Sequence, residues 1–398
     1  MALISIKNSR GDEMKKTAFV LIVLIAAMFL FGIFAYADAM DDNDYYPADE
    51  NEPDISFEKG KVLDAENFRS EGDYSYDYQI ASVFIETGQY EGEVVEVENV
   101  LSENVAYNIE VKTDDRVILM IEEYEGTSQI YISDYSRNGM LKIMVAIFLG
   151  LLVLIGGKKG FKSVVTISLT IFLIFKVMLP GILKGWNPLL IAILIAIVIT
   201  VLTIIIISGF CKKSYAAIIG TVSGVVIAGI IAVVVGKMIK LTGMSADEAS
   251  MLLYIPQQIQ FNFKNLLFAG ILLGALGAVM DIAMSIASAI QEIHQVNRNL
   301  KRITLFNAGM AIGKDVMGTM SNTLILAYTG SSIPLLLILL AYDTPFASLT
   351  NMDIVATEIV RSLAGSIGLI MTIPITAFTA TILLKGKKRK NKRTKNAS

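Results

Sequence analysis

Long uninterrupted apolar runs dominate the chain. A helix needs about 20 mostly apolar residues to cross the hydrocarbon of a bilayer. Eight runs approach or exceed that length, at residues 17–37, 140–156, 164–183, 188–209, 216–235, 266–290, 317–341 and 362–384. The pattern therefore predicts an α-helical integral membrane bundle of about eight transmembrane helices, seven of them within residues 139–384.

Between residues 78 and 138 the pattern changes to short alternating runs. These predict strands at 78–87, 91–97, 107–111, 116–123 and 129–132. Turn signals such as Thr87-Gly88 separate them, and a small all-β, barrel-like domain is one way to bury strands so short. The preceding residues 38–77 include the acidic stretch Asp41-Asp42-Asn43-Asp44 and are predicted to form a largely disordered linker.

The basic residues predict the orientation in the membrane. They recur in every second connection between apolar runs: Lys15 and Lys16, then Lys158, Lys159 and Lys162, then Lys212 and Lys213, then Arg298, Lys301, Arg302 and Lys314, then the tail at 385–398. Short basic connections stay in the cytoplasm. Both termini are therefore predicted to be cytoplasmic and the β domain extracytoplasmic. The tail follows a span directly, which favours contact with anionic lipid over nucleic-acid binding.

The first run has two interpretations. In one, residues 1–37 are a cytoplasmic segment and a membrane anchor. In the other, they are a signal peptide, because Lys15 and Lys16 precede an apolar core that ends in Ala35-Tyr36-Ala37, a sequence typical of cleavage sites.

Composition supports a membrane protein and argues against several classes of site. Apolar residues make up 54% of the 398 residues and charged residues 18%, with a mean hydropathy of +0.59. Cys211 and His294 are the only residues of their types, so one chain cannot build a disulfide or a Cys/His metal cluster. We expect neither a metal nor a cofactor.

No enzyme motif is present in the sequence, and we expect no catalytic residues. There is no nucleophile elbow, phosphate loop or His-Glu-x-x-His pair. Asp281 and Asp315 could suggest an intramembrane aspartyl protease, but Gly313-Lys314-Asp315 lacks the Gly-x-Gly-Asp signature of those enzymes. A lysine beside the acid also disfavours a shared proton.

Asp281 is the main candidate for a transport path, because a carboxylate within an apolar span is costly and commonly marks an ion or substrate route. Steps of three or four residues place it on one face with small and polar residues: Gly270, Gly274, Gly277, Ser285 and Ser288. The alternative is helix packing at the glycines, with the acid merely paired. Gly220 and Gly224 repeat the glycine spacing without an ionisable group and are predicted to serve packing alone.

The seventh run begins with residues that could join this path. Asp315, Thr319 and Asn322 share a helical face, and an antiparallel pairing with the sixth run would bring Thr319 and Asn322 near Asp281. Such oxygen ligands suit a proton or a hard cation. The alternative is a snorkelling Lys314 and an Asp315 that caps a helix. Glu358 and Arg361 are predicted to form a simple rim pair.

Several long segments resemble the YibE/F-like family of bacterial membrane proteins. They are 274–281 (GALGAVMD), 309–320 (GMAIGKDVMGTM), 322–332 (NTLILAYTGSS) and 181–188 (GILKGWNP). The region 86–137 is similar to the extracytoplasmic domain of that family. The resemblance implies a multi-pass protein of the cell membrane for which transport is suggested.

Two functions from different classes follow. In the first, the chain is a transporter or channel for an ion or small solute, with a path along Asp281, Ser285, Asp315, Thr319 and Asn322. In the second, it is a non-transporting scaffold or sensor whose β domain binds a partner or an envelope ligand. The lipid bilayer is the one firm partner. Substrate, coupling ion and oligomeric state stay open.

Overall fold

The computed structural model describes residues 54–69, 76–102, 104, 108–124, 127–245, 247–255 and 260–385. The chain divides into two compact units, Met1–Gly160 and Phe161–Ser398. The apolar run predicted at 17–37, the acidic stretch at 41–44 and the tail beyond Lys385 lie outside the described residues.

The first unit contains a curled antiparallel half-barrel of five strands. Its strands are β1 (Asp54–Arg69), β2 (Asp77–Ile85), β3 (Val94–Leu101), β4 (Arg116–Tyr124) and β5 (Thr127–Tyr135), in the order β3-β2-β1-β4-β5. Alternate residues of the strands point to the concave side and form its core: Val62, Ala81, Val83, Val97, Val117 and Leu119, all buried. Gly60 belongs to this side, because a Cβ there would lie 2.6 Å from Val83.

The long strand β1 corrects the prediction of a disordered linker for residues 54–69. It lies at the centre of the sheet and pairs with both β2 and β4. Charged residues such as Glu58, Lys59 and Lys61 interrupt its apolar pattern. A bulge between Val62 and Asp64 shifts the register within the strand, so a strict alternation does not continue along it.

Residues 107–111, predicted as a strand, do not form one in the part that is described; residues 108–112 have no regular structure. Gln79, which is 2% exposed, holds this segment against the sheet. Its side-chain amide donates to the Val111 carbonyl at 3.0 Å and accepts from the Val111 N–H at 2.9 Å. It also donates to Asn67 at 2.8 Å and accepts from Asn99 at 3.0 Å. Side-chain hydrogen bonds therefore replace a strand ladder here.

Replacing Gln79 by leucine should release residues 108–112 from the sheet. The substitution leaves both backbone groups of Val111 without their partner, and we expect a loss of about 3 kcal/mol in the free energy of unfolding of the β domain. Hydrogen–deuterium exchange of the full chain should become faster at residues 108–112. Gln89→Leu is the matched control, because exposed Gln89 bonds only Glu123 at the surface. Equal exchange in the two variants would contradict the role of Gln79.

Helices make up the rest of the described chain. They are α1 (Asn138–Leu173), which continues through a π-helical turn (Ile174–Met178) into α2 (Leu179–Leu183), then α3 (Pro188–Ser208), α4 (Lys212–Met238), α5 (Asp247–Met251), α6 (Phe263–Val296), α7 (Arg302–Ser331), α8 (Ile333–Ala341), α9 (Phe346–Leu349) and α10 (Asp353–Leu384).

Within the described residues, five helical stretches are long and apolar enough to cross a membrane. They are Asn138–Leu183, Pro188–Ser208, Lys212–Met238, Phe263–Val296 and Asp353–Leu384, and the bent pair α7–α8 makes a sixth if it counts as one span. The structure therefore confirms several long apolar helices, but it does not show eight separate spans. The predicted spans at 140–156 and 164–183 fall within one helical stretch of 46 residues.

That stretch is interrupted at Gly157, where φ is 51° and ψ is −128°. Glycine adopts this backbone conformation without the steric cost that a side chain would add. A Cβ on Gly160 would overlap the carbonyl oxygen of Leu152, although eight residues of straight helix would separate the two by about 12 Å. The chain therefore turns sharply at Gly157.

The predicted span at 317–341 is also divided. α7 starts earlier, at Arg302, and ends at Ser331, where the axis bends by 59° into α8. Pro334 lies in the first turn of α8, and its ring and missing N–H oppose a continuous helix through this point. Hydropathy does not indicate this break, because every residue from Ile333 to Ala341 is apolar.

Candidate functional site

Helix α6 lies at the centre of the helical unit and packs against α3, α4, α7 and α10. Its buried positions are apolar: Ile271, Leu272, Ala275, Val279, Ile282 and Ile286 are all 0–1% exposed. Asn262 begins the helix by accepting a hydrogen bond from the Asn265 N–H at 3.0 Å. Most of the circumference of α6 is therefore fixed by neighbouring helices.

One face of α6 is nevertheless exposed. It consists of Gly270, Gly274, Gly277, Asp281 and Ser285, which we call the α6 stripe. A Cβ placed on Gly270 or Gly277 would meet no atom of the described chain within 4 Å. Within the described chain, no helix packs against these two glycines. The stripe is an open surface of small residues with a carboxylate toward one end.

Helix α7 runs antiparallel to α6 beside this stripe. The Tyr328 hydroxyl lies 2.5 Å from the position of a Cβ on Gly274, and a Cβ on Gly313 would lie 3.3 Å from Ile286. Interpolation between these two contacts places Thr319 at about the level of Asp281. The predicted antiparallel pairing therefore brings the two residues to the same depth.

The residues of the predicted path are exposed, but they do not bond to one another within the described chain. Asp281, Ser285, Asp315, Thr319 and Asn322 are all exposed. The hydrogen bonds and ion pairs of the described residues do not join any of them to another. The Thr319 hydroxyl instead donates to the Val316 carbonyl of its own helix at 2.9 Å. The structure shows a row of oxygen-bearing groups rather than a closed coordination shell.

Gly220 and Gly224 lie at close contacts between two helices. A Cβ on Gly220 would overlap the Thr376 hydroxyl, and one on Gly224 would overlap the Thr372 hydroxyl and approach the Gly368 carbonyl at 2.9 Å. α4 and α10 thus meet almost backbone to backbone. This contact supports the bundle on the side of α6 away from its stripe.

Sequence reasoning missed Tyr328, whereas it did identify Glu358 and Arg361 as a pair. The Arg361 guanidinium donates to Glu358 Oε1 at 2.5 Å, and the two side chains are 29% and 23% exposed. The polar pair within the first turns of α10 was visible in the sequence. The contact of Tyr328 with the α6 stripe joins residues from different helices and has no sequence signal.

The acidic, histidine and cysteine side chains of the described residues lie apart from one another. No group of three or more His, Cys, Asp or Glu side chains there is placed to hold a metal ion. Asp281 offers one carboxylate, and its neighbours on the stripe are glycines and Ser285.

Family models match both units of the chain. The model described as YibE/F-like protein matches residues 144–386, more than half of the chain, and the YibE/F family N-terminal domain matches residues 58–135. Comparison with curated proteins and with solved structures gives no significant match. The chain belongs to the YibE/F-like family and carries its N-terminal domain.

Proposed function

We propose that this protein is a transporter or channel for an ion or small solute, with a route along the α6 stripe and the adjacent face of α7. The observation that carries the proposal is the exposure of Asp281 on a helix whose other faces are packed against neighbouring helices. A carboxylate at this position would be costly against lipid, so water or protein must fill the space beside it. A water-filled space beside a charged group is what an ion route requires.

The residues beside Asp281 support the same proposal. Gly270 and Gly277 leave space over the helix backbone, while Ser285, Thr319 and Asn322 add exposed oxygen-bearing side chains. We propose no catalytic step, because these groups resemble a polar pathway and include no activated nucleophile.

We further propose eight spans, with both termini in the cytoplasm of a bacterial cell. The 46 residues of Asn138–Leu183 would extend about 69 Å as one straight helix, more than twice the hydrocarbon thickness of about 30 Å. The turn at Gly157 would let them cross twice. Together with the run at 17–37, the bent pair α7–α8 and the remaining candidate spans, this gives eight. The basic residues between the runs support the orientation.

Ion flux into proteoliposomes tests the proposed function. The full chain is reconstituted with a pH-sensitive dye inside and challenged with a panel of monovalent cations, protons, divalent cations and anions. We expect one class of ion to enter faster than it enters protein-free vesicles. A protein that is folded and inserted, but moves nothing in the panel, would contradict transport of an inorganic ion.

A sensor or scaffold is the second candidate, and one feature of the half-barrel favours it. Phe68 and Tyr78 stack on its surface with ring centroids 5.6 Å apart, and Tyr76 lies beside Tyr78 at 5.9 Å. Exposed aromatic residues are common at binding surfaces. Deletion of residues 41–134 should abolish a sensing function and leave flux intact if the helices alone transport. Loss of flux on this deletion would make the β domain part of the transporter.

A further inference from the structure

An apolar groove of about 270 Å³ lies between α4 and α10, and we call it the α4–α10 groove. Apart from Thr350, every residue that lines it is apolar, and α10 supplies most of them, from Ala356 to Ile367. Its floor is buried, since Ala364 is 1% exposed, whereas Leu363 at its side is 49% exposed. The groove is therefore open along its length to whatever surrounds the helical unit.

The length of the groove corresponds to half of a bilayer. The 11 residues from Ala356 to Ile367 extend about 16 Å along α10, and the hydrocarbon of a bilayer is about 30 Å thick. Both helices that form the groove are long and apolar enough to cross a membrane. A hydrocarbon chain of one leaflet would thus run beside the groove for most of the length of that groove.

One end of the groove is polar and carries basic residues. Thr350 lines this end, and the Thr242 hydroxyl that follows α4 donates to Asp353 of α10 at 2.6 Å. The end of α4 and the start of α10 therefore lie at the same level. Lys237 and Lys240 are exposed, and both lie within two residues of Ile239, which lines the groove.

We propose that the α4–α10 groove binds one acyl chain of an anionic phospholipid, whose headgroup lies at the end that carries Lys237 and Lys240. A dry apolar cavity of about 150 Å³ holds a benzene molecule, so a groove of 270 Å³ has room for a chain of about 10 to 12 carbons. Lysines near a membrane surface attract anionic lipids. The proposal does not depend on the transport function, because the groove is not part of the α6 stripe.

A helix fits the α4–α10 groove less well than an acyl chain. A helix with its side chains is about 10–12 Å wide, so it would lie over the groove and fill it only with single side chains. A second copy of this protein, related by a two-fold axis along the membrane normal, would also bring Lys237 and Lys240 of both copies to the same level. Like charges across an interface disfavour such a contact.

Native mass spectrometry of the solubilised full chain tests the groove directly. The protein is titrated with phosphatidylglycerol and with phosphatidylcholine of the same chain length, and we expect the first phosphatidylglycerol to bind more tightly by about 5-fold or more. Leu363→Asn should weaken this binding by about 10-fold or more, because a polar amide replaces an apolar wall. Val234→Asn is the matched control. Val234 is also 49% exposed and lies on α4 next to Val235, but it does not line the groove.

The two lysines are tested by a separate pair of variants. Lys237→Gln combined with Lys240→Gln should remove the preference for phosphatidylglycerol and leave the binding of phosphatidylcholine unchanged. Lys184→Gln combined with Lys264→Gln is the control, because these two lysines are also exposed and lie near the ends of other helices. A preference that survives in the first double variant, or that falls equally in both, would overturn the assignment of an anionic headgroup.

The remaining outcomes decide whether the groove holds a lipid at all. Equal binding in Leu363→Asn and Val234→Asn would mean that the retained lipid is ordinary boundary lipid, which overturns the site. A wild type that retains no lipid, or a dimer that Leu363→Asn dissociates, would assign the groove to a protein segment instead. None of these results depends on flux, so the groove and the proposed transport function can fail separately.

Discussion

Replacing Gly224 by valine is expected to lower the free energy of unfolding of the helical unit by about 3 kcal/mol or more, the upper range for overpacking a tight core. The new side chain would overlap the Thr372 hydroxyl and lie 2.9 Å from the Gly368 carbonyl oxygen. A backbone carbonyl cannot rotate away as a flexible side chain can. α4 and α10 must therefore separate where they now pack closely.

Gly277→Val is the matched control for this experiment. It adds the same side chain to another glycine of the helical unit, but the first carbon of that side chain would meet no described atom within 4 Å. Thermal unfolding of the two solubilised variants should show a large decrease in melting temperature for Gly224→Val and a small change for Gly277→Val. Similar decreases in both would show that the packing of α4 on α10 is not the distinguishing factor.

Replacing Asp281 by asparagine is expected to reduce ion flux on the order of 100-fold while the protein folds normally. A unit charge about 4 Å from a cation contributes about 4 kcal/mol at an effective dielectric constant of about 20, and exposure to water lowers this value. Even half of that energy changes a rate by more than 10-fold. The fold should survive because the carboxylate has no hydrogen bond or ion pair within the described residues.

Flux into vesicles and the melting temperature should be measured on the same preparation of Asp281→Asn. Asp343→Asn is its control, because Asp343 is an exposed carboxylate in the turn after α8, away from the α6 stripe. Wild-type flux in Asp281→Asn would remove this carboxylate from the mechanism. A flux lost equally in Asp343→Asn would indicate a general effect of charge.

The helices of the bundle could be predicted largely because lipid requires long apolar runs. Their ends could not. α7 begins at Arg302, 15 residues before the predicted start at 317, and α10 begins at Asp353 instead of 362. Polar first turns continue a helix beyond the apolar run, and hydropathy does not register them.

The half-barrel was predicted less completely. Strands β2, β4 and β5 follow alternating patterns, whereas the bulge and the many charges of β1 obscure its alternation. The segment near Val111 resembles a strand in sequence but is held by Gln79. A single buried side-chain amide can determine the conformation of such a segment, even though the two residues are 32 positions apart in the chain.

The candidate site, too, could be predicted from the sequence only in part. Asp281 and its stripe follow from helical periodicity within one element, and the depth of Thr319 follows from an antiparallel pair. That Gly277 is open while Gly224 is packed depends on which helices lie beside each of them. The same applies to Tyr328, whose contact with Gly274 no spacing in the sequence could indicate.

Blocking the route with a thiol reagent would test most directly whether ions pass along the α6 stripe. In a Cys211→Ser background, Gly277→Cys places a lone thiol on the open stripe, and Phe378→Cys places one on α10 at a side chain that is 60% exposed. A charged, membrane-impermeant reagent should modify Gly277→Cys and reduce its ion flux at least 10-fold, while flux through Phe378→Cys stays unchanged. Undiminished flux in Gly277→Cys after complete modification, verified by mass spectrometry, would contradict a route along this helix.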